Sequence, residues 1–207
     1  RLVPRFWEVS KGQISIGGTD VKLIDQQELM KHISFVFQNT KLFKTTLLEN
    51  IKYGNQDATL ADVERAIDIA HCREIIDKQP LGLNTKIGID GTYLSGGEQQ
   101  RIVLARAILK DAPIVVLDEA TAFADPENEH LIYKALKELT KGKTVLMIAH
   151  RLTSIVDADN ILVIDKGRVA EQGSHTELLN KQGIYLHMWN EYQQSVRWTI
   201  GKEASHA

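Results

Sequence analysis

The sequence predicts an α/β protein with a mostly parallel core sheet and a helical insertion, and three observations support this fold class. Segments 115–117 and 145–148 are continuously apolar, as in strands that are covered on both faces of a parallel sheet. Longer amphipathic segments alternate with such runs in the second half of the chain. Between residues 37 and 95, helical patterns follow one another without a convincing strand, which indicates a helical subdomain projecting from the core.

The predicted elements are short apolar or alternating runs for strands, and longer runs with a helical spacing of apolar residues for helices. Residues 17–20, which read GGTD, follow the first strand and are typical of a hairpin turn. The predicted strands are 13–16, 33–37, 114–117, 144–149, 161–164 and 168–172, and the predicted helices are 60–72, 98–110, 126–140, 175–181 and 184–194.

Composition describes an ordinary globular chain of 207 residues, with 43% hydrophobic and 25% charged residues. The net charge of -2 argues against a surface devoted to nucleic-acid phosphate or to anionic lipid. Cys72 is the single cysteine, so an internal disulfide is excluded and a reducing compartment is favoured. Because no run of about 18 apolar residues occurs, we expect any membrane attachment to come from elsewhere.

Segment 94–101 reads LSGGEQQR and leads into a predicted helix. A serine and two glycines ahead of a helix leave free backbone N–H groups and a hydroxyl near the positive end of the helix dipole, where an anion can bind. Ser95 and Glu98 also have the S-x-x-E spacing of a capping box. From these residues alone, capping and anion binding both remain open.

Segment 114–119 reads IVVLDE and ends an apolar strand with two acids. Asp118 and Glu119 are therefore expected at the carboxyl edge of the sheet, where α/β proteins bind their ligands. One carboxylate can hold Mg²⁺ through water, and the other can polarise an attacking water. The alternative interpretation is a solvated strand end.

In combination, these segments resemble the nucleotide-binding domains of ATP-binding cassette (ABC) transporters, which have a P-loop NTPase-like fold. Segment 94–101 resembles the ABC signature motif, and 114–119 resembles Walker B with its adjoining glutamate. Gln38 resembles the Q-loop glutamine, Asp125 the end of the D-loop, and His150 the switch histidine. Five motifs in family order make coincidence negligible.

The resemblance implies an ATPase that uses ATP and Mg²⁺. It implies that Gln38 directs its amide oxygen toward Mg²⁺ or the lytic water, that Asp118 holds Mg²⁺ through water, and that Glu119 is the general base. His150 would contact the γ-phosphate region and orient Glu119. The remaining nucleotide contacts implied by the resemblance are those of the signature residues Ser95, Gly96, Gly97 and Glu98, which face ATP held by the opposite subunit, and that of Asp125.

The implied partners are a second nucleotide-binding domain, identical or different, and the transmembrane domains of a transporter, without nucleic acid. The location would be the cytoplasmic face of the cell membrane, either peripheral or within a membrane-spanning polypeptide. The resemblance divides the chain into a core remnant at 1–40, a helical subdomain at 41–97, an α/β core at 98–195 and a tail at 196–207. ATP-dependent dimerisation would drive translocation.

Two departures from the family pattern concern the nucleotide site. No G-x-x-x-x-G-K-[ST] phosphate loop occurs in the sequence, so the chain resembles a cassette that begins just after Walker A, and we expect this chain alone to be inactive. Glu98 stands where glutamine is common in the signature motif. A further departure is Phe123, which stands in the D-loop where leucine is frequent and could alter packing across the dimer.

Segments 84–93, 150–155 and 173–179 resemble the exporter type of cassette, although this architecture leaves the direction of transport open. The membrane partner would dock on the helical insertion, especially on residues 41–53. Leu42, Phe43 and Leu47 would be exposed there, although core packing is the commoner fate of such residues. Two alternatives are a soluble ABC ATPase and a degenerate regulatory cassette. The first is disfavoured by the absence of heptads and of zinc-binding cysteines. Glu119 and His150 argue against the second, while the missing phosphate loop leaves it open.

Overall fold

A computed structural model of the chain describes residues 2–37, 41–88, 91–118, 126–149 and 151–204. Contacts divide the chain into two compact units, Arg1–Ile148 and Ala149–Ala207. Within the described ranges, no helix is both long enough and apolar enough to cross a membrane. The predicted division of the chain into domains, with boundaries at residues 40, 97 and 195, stays a prediction.

The larger unit begins with a two-residue hairpin of strands β1 (Ser15–Ile16) and β2 (Thr19–Asp20), which pair antiparallel. Gly17 and Gly18 form the predicted turn with φ angles of 57° and 80°, a conformation that glycine adopts without steric cost. The first strand is shorter than predicted. Helix α1 (Gln26–Lys31) follows, and the Asp25 carboxylate caps its first backbone N–H groups.

A three-stranded parallel sheet forms the centre of this unit, in the order β3, β4, β5. Its strands are β3 (Ile33–Val36), β4 (Ile114–Asp118) and β5 (Thr144–Ile148), each within one residue of its predicted end. Val115 and Leu117 on the central strand are buried, whereas Val116 on its other face is only partly buried, so the predicted cover on both faces is incomplete. The parallel core sheet is therefore confirmed.

The prediction that β5 is covered on both faces is wrong for the residues the structure describes. All five residues of this strand are exposed, and the side chains from Val145 to Ile148 are between 38% and 51% accessible. Within the described part of the chain, β5 pairs with β4 alone and forms an edge of the sheet. An apolar edge strand of this kind favours association with further β structure.

Helices follow β3, as predicted for the insertion: α2 (Leu47–Lys52), α3 (Leu60–Ile69) and α4 (Arg73–Asp77). The predicted helix 60–72 ends early, because His71 adopts a left-handed φ of 54° that a helix cannot continue through. Cys72 therefore lies between two helices. Its side chain is fully buried, and burial raises the pKa of the thiol to about 12.

Helix α5 (Gly96–Lys110) packs against α2, α3 and the next long helix, α6 (Pro126–Thr140). It starts two residues before the predicted helix 98–110, because Ser95 caps its first turn. The main hydrophobic core of the unit is built around α5, with buried side chains from the insertion helices on one side and from β4 and α6 on the other.

The smaller unit contains an antiparallel hairpin of β6 (Ile161–Asp165) and β7 (Arg168–Gly173), followed by α7 (His175–Asn180) and α8 (Ile184–Ala204). Its core forms around Leu178 and Tyr185. The last helix is ten residues longer than the predicted 184–194, since no proline interrupts this stretch. The segment from 196 to 204, predicted as a tail, has helical backbone.

Candidate functional site

The signature segment forms a capped helix start. The Ser95 hydroxyl accepts a hydrogen bond from the Glu98 backbone N–H at 3.2 Å, and the Glu98 carboxylate accepts one from the Ser95 backbone N–H at 2.9 Å. Both bonds of the predicted capping box are therefore present. Since the hydroxyl acts as acceptor in this box, its own proton is still able to bond an anion.

Exposure divides this segment into two parts. Ser95 and Gly96 are exposed, whereas Leu94 and Gly97 on either side are buried. The most accessible surface is therefore one hydroxyl and the backbone at the positive end of a fifteen-residue helix, with the partly exposed Glu98 close by. These features fit an anionic phosphate, and they leave capping and anion binding compatible with each other.

Asp118 is the last residue of β4 and is partly exposed at the carboxyl edge of the sheet. The register pairs Asp118 with Ile148 and Leu117 with Val36, so the three strands end at the same edge. A carboxylate at this position fits Mg²⁺, which prefers oxygen ligands and keeps several waters. Within the described residues, no three metal-ligating side chains come together.

Four predicted site residues, Gln38, Glu119, Asp125 and His150, lie outside the described residues. In the sequence, Gln38 and His150 stand two residues after the ends of β3 and β5, and Glu119 directly follows β4. The chain therefore enters the segments holding these three residues from one edge of the sheet. Their roles stay predictions.

Arg101, one turn into α5, connects the signature helix to the insertion. Its guanidinium is almost completely buried and donates to the His71 backbone carbonyl and to the Glu74 carboxylate at 2.9 Å. A buried arginine requires such partners, because an unpaired buried charge is strongly destabilising. This contact fixes the first turns of α5 against α4.

Arg106 makes a second connection, to the segment that follows the predicted Q-loop. It donates to the Asn50 backbone carbonyl at 2.7 Å and to the Asn50 side-chain oxygen at 3.0 Å. Asn50 in turn bonds both the backbone N–H and the carbonyl of Phe43, at 2.9 and 3.0 Å. The guanidinium also lies 5.3 Å from the centre of the Phe43 ring.

These two arginine contacts were not predicted from the sequence, because the partners are 27 to 56 residues apart. Of the two alternatives for the apolar residues in 41–53, exposure is found for Phe43 and core packing for Leu47. Leu47 lies in the first turn of α2, and its side chain is fully buried in the main core. Leu42 is partly buried and packs against the same core.

The fold and the site together define a nucleotide-binding α/β domain: a parallel sheet with an acid at its carboxyl edge, and a long helix whose exposed capped start suits phosphate. The family model described as "ABC transporter" matches residues 2–122. The chain belongs to this family and corresponds to its ATP-binding domain.

Relatives of known sequence support the same assignment. The chain is 47% identical over 192 residues to an ATP-dependent lipid A-core flippase of Legionella pneumophila (strain Paris), covering 93% of this chain and 33% of the flippase. A flippase of the same name from Vibrio vulnificus (strain CMCP6) is 47% identical over 188 residues, or 90% of this chain and 32% of its own length. The chain thus spans about a third of the curated relatives it matches.

A solved structure confirms the cassette fold. The structure of a bacterial Atm1-family ABC exporter with ATP bound superimposes with a TM-score of 0.83 at 40% sequence identity. It covers 91% of this chain, which corresponds to 33% of the exporter chain. The predicted fold class, an ABC cassette with a helical insertion, is therefore confirmed.

Proposed function

We propose that this chain binds and hydrolyses MgATP as the motor domain of an exporter-type ABC transporter, and that two such domains form each active site together. The observation that carries the proposal is the exposed start of α5, where Ser95 and Gly96 present a hydroxyl and backbone to solvent within the most specific family motif. A surface that faces outward from its own domain suits a ligand held by another subunit.

In this proposal the two halves of a site have different tasks. Mg²⁺, when bound, would neutralise phosphate charge, and Asp118 at the sheet edge would hold it through water. Glu119 takes a proton from the attacking water, while Gln38 and His150 position the water and the γ-phosphate. The signature segment and Asp125 of the opposite subunit close the site and exclude solvent.

We also propose that residues 41–53 receive the membrane partner. Phe43 and Tyr53 are each 51% exposed, and their rings form a pair with centroids 4.5 Å apart. Such an aromatic pair on a surface is typical of protein contacts. Asn50 bonds Phe43 of this pair and Arg106 of α5. A partner that displaces the aromatic pair would therefore also displace α5, whose start is the signature segment.

The proposed location is the cytoplasmic face of a membrane, and the relatives named as flippase and exporter favour export over import. For the 207-residue chain alone, we propose weak binding of MgATP and no steady hydrolysis. The sequence holds no phosphate loop, whose backbone N–H groups and lysine surround the phosphates in this class of ATPase.

The test is Glu119→Gln in the full-length protein. Loss of the general base is expected to lower the ATPase rate by about 10²-fold or more, with MgATP binding retained. Glu138→Gln, which neutralises an exposed acid in the last turn of α6, is the matched control and should hydrolyse normally. Near-normal turnover in Glu119→Gln would remove Glu119 from this role, and an inactive parent protein would favour a regulatory cassette.

A further inference from the structure

Gly97 lies against Asn128 with no space for a side chain. A Cβ atom built on Gly97 would be 2.7 Å from both Cβ and Cγ of Asn128 and 3.1 Å from its Nδ2. Carbon atoms in comfortable contact are about 3.5 to 4.0 Å apart, so any other residue requires a displacement of about 1 Å. Rotation of the Asn128 side chain can move Cγ and Nδ2 but leaves its Cβ, at 2.7 Å, in place.

The backbone conformation at position 97 does not require a glycine. Gly97 is the second residue of α5, is absent from the positions with positive φ, and is buried. An alanine would therefore suit its backbone conformation and be favoured by helix propensity. The restriction comes from close packing against α6, unlike at Ser95 and Gly96, which are exposed.

Asn128 is the third residue of α6 and follows the predicted D-loop residue Asp125 by three positions. Its contact with Gly97 thus joins the start of the signature helix to the start of the helix that leaves the D-loop. Ser95 is only two residues from Gly97. A displacement at Gly97 is consequently transmitted to the hydroxyl and backbone that are proposed to face ATP.

We propose that Asn128 is a positioning residue for the signature motif. In this proposal, position 97 must be glycine because its Cα lies directly against the Asn128 side chain. The inference rests on the proposed function, since it assigns the position of Ser95 and Gly96 a role in hydrolysis. Asn128 acts through α5 and touches no nucleotide in this account. The start of α5 and the start of α6 are held at one fixed spacing.

The experiment uses four variants of the full-length protein reconstituted in lipid: Gly97→Ala alone, and Gly97→Ala combined with Asn128→Gly, Asn128→Ala or Lys134→Gly. Asn128→Gly removes the three nearest obstructing atoms, whereas Asn128→Ala keeps the Cβ at 2.7 Å. Lys134→Gly is the matched control, because it places the same helix-weakening glycine at an exposed position of α6. The readouts are kcat, the affinity of the resting protein for a fluorescent ATP analogue, and the melting temperature.

Gly97→Ala is expected to lower kcat roughly 10- to 100-fold, the scale of a misplacement of about 1 Å, with resting nucleotide affinity unchanged. Asn128→Gly should restore most of kcat, Asn128→Ala little of it, and Lys134→Gly none. A Gly97→Ala protein as active as the parent would overturn the proposal. The proposal would also be overturned if neither Asn128→Gly nor Lys134→Gly restored kcat to the Gly97→Ala protein.

Two further outcomes are informative. If Gly97→Ala alone does not fold, recovery of folded, active protein by Asn128→Gly but not by Lys134→Gly supports the contact, and its absence refutes it. A parent protein without ATPase activity would refute the proposed function instead. The contact would then be tested by the melting temperature, which Gly97→Ala should lower and Asn128→Gly should restore.

Discussion

Replacing Glu98 with glutamine removes a negative charge from the signature segment while keeping its cap. Glutamine can accept the bond from the Ser95 backbone N–H that the carboxylate accepts at 2.9 Å, since capping boxes use either residue. The charge matters because Ser95 and Gly96 are the exposed part of the segment and are proposed to face a phosphate. Glu98→Gln should therefore strengthen nucleotide-dependent closure of the dimer.

The size of the effect follows from the geometry of the cap. A phosphate oxygen bonded to the Ser95 hydroxyl is taken to lie roughly 5 Å from the Glu98 carboxylate, which accepts a bond from the backbone N–H of the same residue. Two unit charges at this separation repel by about 0.8 kcal/mol at the dielectric constant of water and by about 3 kcal/mol at an effective value of about 20. Because Ser95 is exposed, we expect about 1 kcal/mol, or roughly a five-fold lower ATP concentration for half-maximal closure.

The assay is ATP-dependent closure in the full-length protein, followed by fluorescence transfer between two labelled subunits at low and high salt. The advantage of Glu98→Gln should shrink as salt screens the repulsion. Glu98→Ala removes the charge and also part of the cap, so its gain should be smaller. Unchanged or weaker closure in Glu98→Gln at low salt would refute the placement of phosphate beside this cap.

Arg106→Ala should destabilise the chain by about 3 kcal/mol in urea unfolding, through the loss of two charge-assisted hydrogen bonds to Asn50 and of the contact with the Phe43 ring. Arg106→Lys should lose less, and a loss below about 1 kcal/mol for alanine would contradict the assigned contacts. Calorimetric titration of MgATP should give far weaker binding to the 207-residue chain than to the full-length protein. Micromolar binding by the 207-residue chain would disprove the account of its nucleotide site.

Local sequence signals predicted the elements that depend on few neighbouring residues. Gly17 and Gly18 identified the first hairpin, and the S-x-x-E spacing of Ser95 and Glu98 identified a helix cap that the structure contains. The apolar run at 114–117 likewise predicted the existence and the bounds of strand β4 to within one residue. In each case, the conformation is determined by residues within a few positions of one another.

Features that depend on distant packing could not be predicted in the same way. An apolar run has the same sequence pattern whether a neighbouring strand covers it or not, and so β5 was expected to be covered although its described residues are exposed. The sequence left both exposure and core packing open for Leu47, because its segment mixes apolar and polar residues, and the fold places it in the core. The fit of Gly97 against Asn128 and the bond from Arg106 to Asn50 require the arrangement of three helices.

The central claim is that the signature segment of one subunit completes the site whose base, Glu119, belongs to the other. It is tested most directly by counting trapped nucleotides in full-length dimers that carry Glu119→Gln and Gly96→Asp, placed either in one subunit or in opposite subunits. Placed in opposite subunits, both changes fall in one shared site and leave the other intact, so we expect one hydrolysed nucleotide trapped with vanadate per dimer. Placed in one subunit, they damage both sites and should abolish trapping. Trapping that is greater with both changes in one subunit would contradict the account.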